Sequence, residues 1–261
     1  MAELVLVRKG DNIATVLLNR PEALNSFNFD VTESLAVHLV DLAADSSVRG
    51  IVISGEGRAF CAGGDLRWVV SSPLGPAAAL HKLAGLFHQA VLEIRRMPKP
   101  VIAAINGVAA GGGFSLALSC DFRVMAKSAV LRQAYTSSGL SIDGGGSFVL
   151  PRTIGLARAL EVMAFDRPIS SEQALAWGLV TTVVDDGTAL EEATVMARGI
   201  AAGSLASFAW SKKLMTDSFN TSFETQLDRE RRGICACGAS PEGMEGLKAF
   251  AEKRKPVFLN K

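Results

Sequence analysis

The chain has 261 residues, enough to bury a sizeable core as one large domain or as one domain with an appendage. Its 27 basic and 26 acidic residues leave a net charge of +1 and are spread along the chain, without the basic block that marks nucleic-acid binding. The sequence contains neither an apolar run of transmembrane length nor a signal-peptide pattern at its start. We therefore expect a cytoplasmic protein with no nucleic-acid partner and no membrane partner.

The predicted elements alternate between strands and helices over the first 190 residues, and the remainder is helical. The predicted strands lie at 4–7, 13–19, 50–54, 101–105, 121–126 and 179–184. The predicted helices lie at 29–44, 77–96, 113–120, 191–202, 204–217, 221–234 and 241–254. This alternation predicts an α/β fold with largely parallel strands. We expect a core from residues 1–190 and a C-terminal helical region from residues 191–261.

Two glycine-rich turns follow short apolar strands. The first is at residues 58–66, after the strand at 50–54, and the second is at 106–113, after the strand at 101–105. Glycine allows the backbone to approach a ligand closely and to present bare N–H groups. Two such turns side by side could direct two N–H groups at one oxygen, which is the geometry of an oxyanion hole. This pattern indicates an enzyme that stabilises an enolate or a tetrahedral oxyanion.

The cysteines and histidines do not form a metal-binding pattern. The four cysteines lie at positions 61, 120, 235 and 237, and we expect reduced thiols. Cys235 and Cys237 are separated by one residue, which is too short a motif for a metal site, and the three histidines are distant in sequence. The sequence predicts no metal site.

A serine in the second glycine region suggests a hydrolase at first sight. Ser115 lies in the segment GFSLA, which resembles a nucleophile elbow. A hydrolase of that type needs its histidine later in the chain, whereas all three histidines here precede Ser115. A small residue in a tightly packed helix is the better interpretation.

Asp143 and His88 each have two interpretations. Asp143 precedes three glycines, so it either caps a helix beginning near Gly145 or acts as a base in an apolar, glycine-lined site. His88 flanks the apolar stripe of the predicted helix at 77–96 and is either a partly buried structural histidine or a site residue. The residues alone leave both questions open.

Several segments in order resemble the enoyl-CoA hydratase/isomerase, or crotonase, superfamily. They are LNRPEALN at 18–25, FCAGGDL at 60–66, KPVIAAING at 99–107, GGG at 111–113, CDF at 120–122, and the C-terminal segments 242–250 and 253–256. The resemblance extends from Leu4 to about Phe258. It implies a crotonase-like spiral of ββα units with a C-terminal helical trimerisation region, assembled as a homotrimer or as a hexamer made of two trimers.

The resemblance also implies a ligand and its binding residues. The substrate would be an acyl-CoA thioester, with coenzyme A as part of the substrate and no separate cofactor. The backbone N–H groups of Gly64 and Gly112 would bind the thioester oxygen. The residues implied in coenzyme A binding are Ala23, Leu24, Ala62, Gly63, Asp65, Leu66, Phe250 and Lys253. Phe250 and Lys253 would reach coenzyme A either within the same subunit or from a neighbouring subunit.

Two departures from the family pattern argue against ordinary hydratase activity. Water-adding members carry two glutamates, at the positions of Ser115 and Tyr135 here. Neither of these side chains ionises readily at neutral pH, so neither is suited to activate water. Isomerase-type members, including the ring-opening isomerase of the phenylacetate pathway, keep a single acid at the position of Asp143.

The sequence therefore predicts an enzyme that shifts a double bond of an enoyl-CoA by proton transfer. Asp143 would be the acid/base, as a desolvated carboxylate assisted by the oxyanion hole, with His88 and Tyr135 beside it. One alternative is an enoyl-CoA hydratase. Another resembles 4-chlorobenzoyl-CoA dehalogenase, with a nucleophilic Asp143 helped by His88 and with Tyr135 in place of a tryptophan. A third is a non-catalytic acyl-CoA binding protein.

Overall fold

The computed structural model describes residues 3–258, in which nine strands form two sheets. The strands are β1 (Val5–Gly10), β2 (Ile13–Leu18), β3 (Gly50–Gly55), β4 (Ala59–Cys61), β5 (Val101–Ile105), β6 (Val108–Ala110), β7 (Phe122–Ala126), β8 (Leu131–Arg132) and β9 (Thr182–Val184). The large sheet has the order β1-β2-β3-β5-β7-β9, and the small sheet has the order β4-β6-β8. β1 and β2 pair antiparallel, and the other neighbouring strands pair parallel.

Within residues 3–258, eleven α-helices surround the two sheets. They are α1 (Phe29–Ala44), α2 (Leu66–Ser71), α3 (Pro76–Arg96), α4 (Gly112–Ser119), α5 (Gly146–Ile154), α6 (Leu156–Phe165), α7 (Ser171–Ala176), α8 (Ala189–Ala201), α9 (Leu205–Asp217), α10 (Phe223–Ala239) and α11 (Pro241–Ala251). Across residues 3–258, a helix with the length and apolar character needed to cross a bilayer is absent.

The chain repeats one structural unit three times. Each unit has a strand of the large sheet, then a strand of the small sheet, then one or two helices: β3, β4, α2 and α3; β5, β6 and α4; β7, β8 and α5. Parallel pairing of β3 with β5 and of β5 with β7 stacks the units on one side. Pairing of β4 with β6 and of β6 with β8 stacks them on the other. This confirms the predicted α/β spiral of ββα units followed by helices.

Helices cover both faces of the large sheet, so its central strands β3 and β5 are buried along their whole length. α1 begins after Asn28, whose side chain accepts a hydrogen bond from the N–H of Val31. Its predicted apolar stripe is buried in the main core: Val31, Leu35, Leu39 and Leu42. α8 packs small residues, Ala193 and Ala197 among them, against the opposite face. The division of the chain at residue 190 stays a prediction.

The structure departs from the predicted elements in a few places. The small sheet was not predicted, because strands of two or three residues are too short to show an alternating pattern. Helices α6 and α7 were also missed. The predicted strand at 179–184 is reduced to β9, since α7 is followed by a turn at 177–178 and the backbone bends at 179 and 181. The predicted helix at 221–234 continues as α10 to Ala239, so Cys235 and Cys237 are helical.

Candidate active site

The small sheet brings the two glycine-rich turns into contact. Ala59 of β4 pairs with Val108 of β6, and both strands then enter their turns. A Cβ atom at Gly113 would lie 2.1 Å from the carbonyl oxygen of Cys61, and one at Gly63 would lie 2.7 Å from the oxygen of Ala110. Because neither position has room for a side chain, glycine is needed for this backbone-to-backbone packing.

Gly64 and Gly112, one from each turn, line the same pocket. Gly112 is the first residue of α4, where the N–H group has no acceptor within the helix. Between residues 3 and 258, neither glycine donates its N–H to a hydrogen bond. Both donors are therefore available to an oxygen atom of a ligand in the pocket.

The pocket is small and largely apolar, with a volume of about 170 Å³. Its walls include two aromatic rings, Phe27 and Phe87, whose centroids are 5.1 Å apart. The other apolar side chains that line it are Ala62, Leu66, Leu80, Leu83, Ala84, Ala134 and Leu140. Of the described residues that line this pocket, Asp143 alone carries a carboxylate.

Asp143 is paired with His88. The Nε2 atom of His88, on α3, lies 2.6 Å from Oδ1 of Asp143. The side chains are 50% and 38% exposed, respectively. His88 is therefore more exposed than the partly buried interpretation expected, and its role as a site residue stays a prediction. The predicted desolvation of Asp143 is only partial.

The helix-capping interpretation of Asp143 is wrong. The residue that caps α5 is Gly145, with φ of +78°, and α5 has no side-chain capping bond. The backbone carbonyl of Asp143 does accept the N–H of Gly146. The carboxylate itself is thus directed to the contact with His88 and not to the helix.

Two hydroxyl groups meet the backbone of Asp143. Ser115 Oγ, fully buried on α4, donates to the carbonyl oxygen of Asp143 at 2.7 Å. The Tyr135 hydroxyl lies 3.0 Å from Ser115 Oγ and 3.4 Å from the same carbonyl oxygen. Ser115 and Tyr135, which the resemblance places where water-adding members carry glutamates, form an uncharged hydrogen-bonded cluster here.

Burial keeps two other groups near the site protonated. It raises the pKa of Tyr135 well above its usual value, although the hydrogen bond to Ser115 acts in the opposite direction. It also raises the pKa of the Cys61 thiol to about 12, against a hydrogen bond from the N–H of Gly63. Neither group is a nucleophile or a base at neutral pH.

A second, more open groove shares Ala62, Gly64 and Leu66 with the pocket. Its other lining residues are Arg20, Glu22, Ala23, Leu24, Ser26, Arg58, Asp65 and Arg67. The structure thus brings together most of the residues that the resemblance implied in coenzyme A binding, and Gly63 lies beside them in the chain. The three arginines were not predicted. They are spread over the sequence, so no local charge cluster signals them.

Asp65 has a structural role in this groove. Its carboxylate caps α2 by accepting the N–H of Trp68 at 3.1 Å and pairs with Arg20 at 2.7 Å. Burial acts to raise the pKa of Asp65, but these contacts outweigh it and hold the pKa below its usual value. Asp65 therefore stabilises the groove wall as an ionised group.

Phe250 and Lys253 are not brought to the site within one chain. Phe250 lies near the end of α11 with its side chain exposed, and Lys253 follows in the turn after that helix. Neither lines the pocket or the groove. Their contact with coenzyme A stays a prediction. Within residues 3–258, no cluster of three histidine, cysteine or acidic side chains is placed to share a metal ion.

The glycine-lined pocket, the groove and the spiral agree with comparisons to known proteins. The family model described as enoyl-CoA hydratase/isomerase matches residues 8–261. The chain belongs to the enoyl-CoA hydratase/isomerase family. As a member of this family it is an acyl-CoA-metabolising enzyme.

Relatives in the family carry several different names. The chain is 38% identical to 1,2-epoxyphenylacetyl-CoA isomerase of Escherichia coli (strain K12), with 100% of each chain covered. It is 32% identical to 4-chlorobenzoyl coenzyme A dehalogenase-2 of an Arthrobacter species, over 95% of this chain and 91% of the relative. The crystal structure of an enoyl-CoA hydratase from Polaromonas sp. JS666 has a TM-score of 0.92 and 34% identity, covering 97% and 98% of the two chains. The fold and family are shared across these chemistries, so the reaction must be argued from the site.

Proposed function

We propose that this enzyme shifts a double bond of an enoyl-CoA thioester by proton transfer, with Asp143 as the acid/base group. The proposal rests on the groups that line the pocket. One carboxylate, Asp143, and two unpaired N–H groups, those of Gly64 and Gly112, line the same small cavity.

The proposed mechanism uses the two N–H groups as an oxyanion hole. They bind the thioester oxygen and stabilise the negative charge that it gains when a C–H proton is removed. One such donor is typically worth about 2.7–4 kcal/mol at the transition state. Asp143 removes a proton from one carbon of the substrate and delivers a proton to another carbon of the same allylic system. One carboxylate is sufficient for this cycle, because the group that accepts the first proton is then the acid that donates the second, and its 38% exposure allows that proton to exchange with solvent.

The size and lining of the pocket favour a compact acyl group. Its volume of about 170 Å³ is close to that of an engineered apolar cavity of about 150 Å³ that binds benzene. The rings of Phe27 and Phe87 offer apolar contact to an acyl chain or ring. In the adjoining groove, Arg20 is paired with Asp65, and Arg58 and Arg67 supply positive charge for the phosphates of coenzyme A.

A second candidate is nucleophilic chemistry on an aryl-CoA. The similarity to a 4-chlorobenzoyl coenzyme A dehalogenase and the contact between His88 and Asp143 favour it. In this case an Asp143 oxygen would attack a halogen-bearing ring carbon, and the carbon–halogen bond would break to release halide and leave an aryl ester. Water would then attack the carboxyl carbon of that ester, releasing the hydroxylated ring and the Asp143 carboxylate. A hydratase has less support, because the described pocket lining lacks a second carboxylate to activate water.

Isotope labelling separates these reactions. The wild type is given 2-enoyl-, 3-enoyl- and aryl-CoA thioesters in deuterium oxide and in heavy-oxygen water, and products are analysed by mass spectrometry. An isomerase exchanges α- or γ-hydrogens and adds no oxygen, whereas a hydratase adds one solvent oxygen. A nucleophilic Asp143 acquires the oxygen label in its own carboxylate during a single turnover.

The matched variants are Asp143→Asn and Asp217→Asn. Asp217 is 41% exposed and pairs with Lys213 at 2.7 Å, so it resembles Asp143 in exposure and in having a basic partner. We expect Asp143→Asn to lower the rate by about 10²–10⁴ and Asp217→Asn to leave it unchanged. A fully active Asp143→Asn variant would overturn the proposed mechanism.

A further inference from the structure

We propose that Ser115 and Tyr135 act as positioning residues that hold Asp143 through its backbone carbonyl, and that neither hydroxyl exchanges a proton with the substrate. This inference rests on the proposed role of Asp143 as the acid/base. It assigns a task to the two positions at which this chain departs from its water-adding relatives.

The direction of the hydrogen bonds follows from the chemistry of the partners. The carbonyl oxygen of Asp143 can only accept, so the 2.7 Å contact uses the single proton of the Ser115 hydroxyl. In the 3.0 Å contact between the two hydroxyls, Tyr135 is then the donor, and its proton is shared with the carbonyl oxygen of Asp143, which lies 3.4 Å from the Tyr135 hydroxyl. The result is a relay from the Tyr135 hydroxyl to Ser115 and on to Asp143. Both protons are committed inside the protein and are not available to a substrate.

Packing makes this relay rigid. Ser115 is fully buried, and a Cβ atom built on Gly144 would lie 3.0 Å from its Cβ. A Cβ atom on Gly146 would lie 2.9 Å from Ser115 Oγ. The turn that follows Asp143 therefore lies directly on Ser115, and a shift of one requires a shift of the other.

The relay also couples the base to the proposed oxyanion hole. Gly112 and Ser115 lie three positions apart on α4, a helix that is buried along its whole length. One rigid helix thus supplies an N–H donor and the hydroxyl that holds the backbone of Asp143. We infer that α4 fixes the distance between the thioester oxygen and the carboxylate, which must be maintained for efficient proton transfer.

The first test compares two buried serines. Ser115→Ala removes the bond to Asp143, and the control Ser171→Ala removes a bond of the same length, 2.7 Å, from a buried serine to the carbonyl of Lys127. Because both bonds are buried and equally long, we expect the two variants to lose stability to a similar degree. We expect Ser115→Ala to lower kcat by about ten- to a hundredfold with little change in KM, and Ser171→Ala to leave kcat unchanged. Equal kcat values for the two variants would reduce Ser115 to a merely structural residue and overturn the proposal.

The second test uses Tyr135→Phe and the double variant. Because the Tyr135 hydroxyl lies farther from the carbonyl oxygen of Asp143 than Ser115 Oγ does, at 3.4 Å against 2.7 Å, we expect Tyr135→Phe to slow the enzyme less than Ser115→Ala does. The double variant should then be no slower than Ser115→Ala by more than about twofold. The pH profile of kcat should keep its wild-type shape in all three. A changed profile, or a loss with Tyr135→Phe as large as the loss with Asp143→Asn, would identify Tyr135 as a proton carrier instead.

A crystal structure of Ser115→Ala gives a readout that needs no substrate. We expect the Asp143 carboxylate to move away from His88 Nε2 when its carbonyl loses the serine. An undisplaced Asp143 contradicts the positioning role even if the proposed reaction is also wrong. If Asp143→Asn is fully active, the proposed function fails; if it is inactive and Ser115→Ala is as fast as wild type, the relay alone fails.

Discussion

His88 Nε2 and Asp143 Oδ1 lie 2.6 Å apart, although the two residues are 55 positions apart in sequence. The contact joins α3 to the turn before α5 and occupies one oxygen of the carboxylate. The other oxygen, Oδ2, has no hydrogen-bond partner in the part of the chain from residue 3 to 258. We infer that His88 orients the carboxylate and leaves Oδ2 for proton transfer.

We expect His88→Ala to lower kcat by about ten- to a hundredfold, because hydrogen bonds to charged groups contribute about 1.5–3 kcal/mol. His88→Gln keeps an N–H donor on a side chain of similar length and should retain more activity than the alanine variant. Steady-state kinetics with the same enoyl-CoA would give kcat for both variants and for the wild type. Equal, large losses in both would show that His88 transfers a proton itself, since an amide cannot replace it in that role.

Gly112→Pro removes the N–H proposed for the oxyanion hole while keeping a residue suited to the first position of a helix. We expect kcat to fall by about 10²–10³. Gly112→Ala is the control, because it keeps the N–H and adds a methyl group about 3.1 Å from the Phe27 ring. The alanine variant should lose less activity than the proline variant. The role of this N–H is refuted if a folded proline variant is as active as the alanine variant.

Much of the fold could be predicted because its signals are local. α1 has an apolar stripe and a capping asparagine next to each other in sequence, and its predicted bounds at 29–44 match the structure. The glycine turns were also visible, since close backbone packing restricts positions such as Gly63 and Gly113 to glycine. Parallel stacking of the units then places the turns side by side.

The contacts inside the site could not be predicted from spacing. Ser115, Tyr135 and Asp143 belong to a helix, a loop and a turn that meet only after the units have stacked. The buried ion pair of Lys212 and Asp121 was equally unpredictable. Its Nζ and Oδ2 atoms lie 2.8 Å apart, although the two residues are 91 positions apart in sequence. Such contacts depend on how elements pack together, and single-sequence patterns carry no information about that packing.

Gly144 should not tolerate a side chain, and the backbone displacement that a side chain causes there should extend to Asp143. Its φ of +61° disfavours other residues, and a Cβ atom would lie 2.2 Å from the Phe87 ring. Gly139 is the control, because its φ of +70° imposes similar strain in open space. We expect Gly139→Ala to cost about 1–2 kcal/mol of stability and Gly144→Ala to cost more and also lower kcat. Thermal unfolding and kinetics measure both, and equal costs would contradict the packing argument.

The stabilising role of Glu242 should depend on pH. Its carboxylate on α11 accepts hydrogen bonds from Ser204 and from the N–H of Ala206, at 2.8 and 2.9 Å, and pairs with Arg49 at 3.2 Å. Burial acts to raise the pKa of Glu242, but the contacts with Ala206, Ser204 and Arg49 outweigh it and hold the pKa below the ordinary 4.5. The stabilisation is therefore fully present above pH 4.5 and is lost as pH falls through the lowered value.

Glu242→Gln should accordingly lower the free energy of unfolding at pH 7 by about 1.5–3 kcal/mol. The difference from wild type should shrink once the pH is low enough to protonate the wild-type carboxylate. Denaturant unfolding over a pH series tests this, with Glu33→Gln, at an exposed position on α1, as the control. A difference that does not change with pH would mean that ionisation of Glu242 contributes nothing.

The C-terminal helices should mediate assembly into trimers. Large apolar side chains are exposed on the C-terminal helices of the single chain, among them Met215, Phe223, Ile234, Leu247 and Phe250. Exposed apolar surface of this kind marks subunit interfaces. We expect light scattering to give a mass that is a multiple of three subunits. Ile234→Asp should shift the protein towards monomers, whereas Val37→Asp, at an exposed apolar position on α1, should not.

If Phe250 and Lys253 reach the coenzyme A of a neighbouring subunit, the dissociated Ile234→Asp variant should also bind coenzyme A more weakly. The contact between His88 and Asp143 lies within one chain, so it should survive dissociation. Calorimetric titration with coenzyme A at a concentration where the variant is monomeric measures the loss. Undiminished affinity would restrict the binding site to one chain, and a wild type that is monomeric at micromolar concentration would refute the predicted trimer itself.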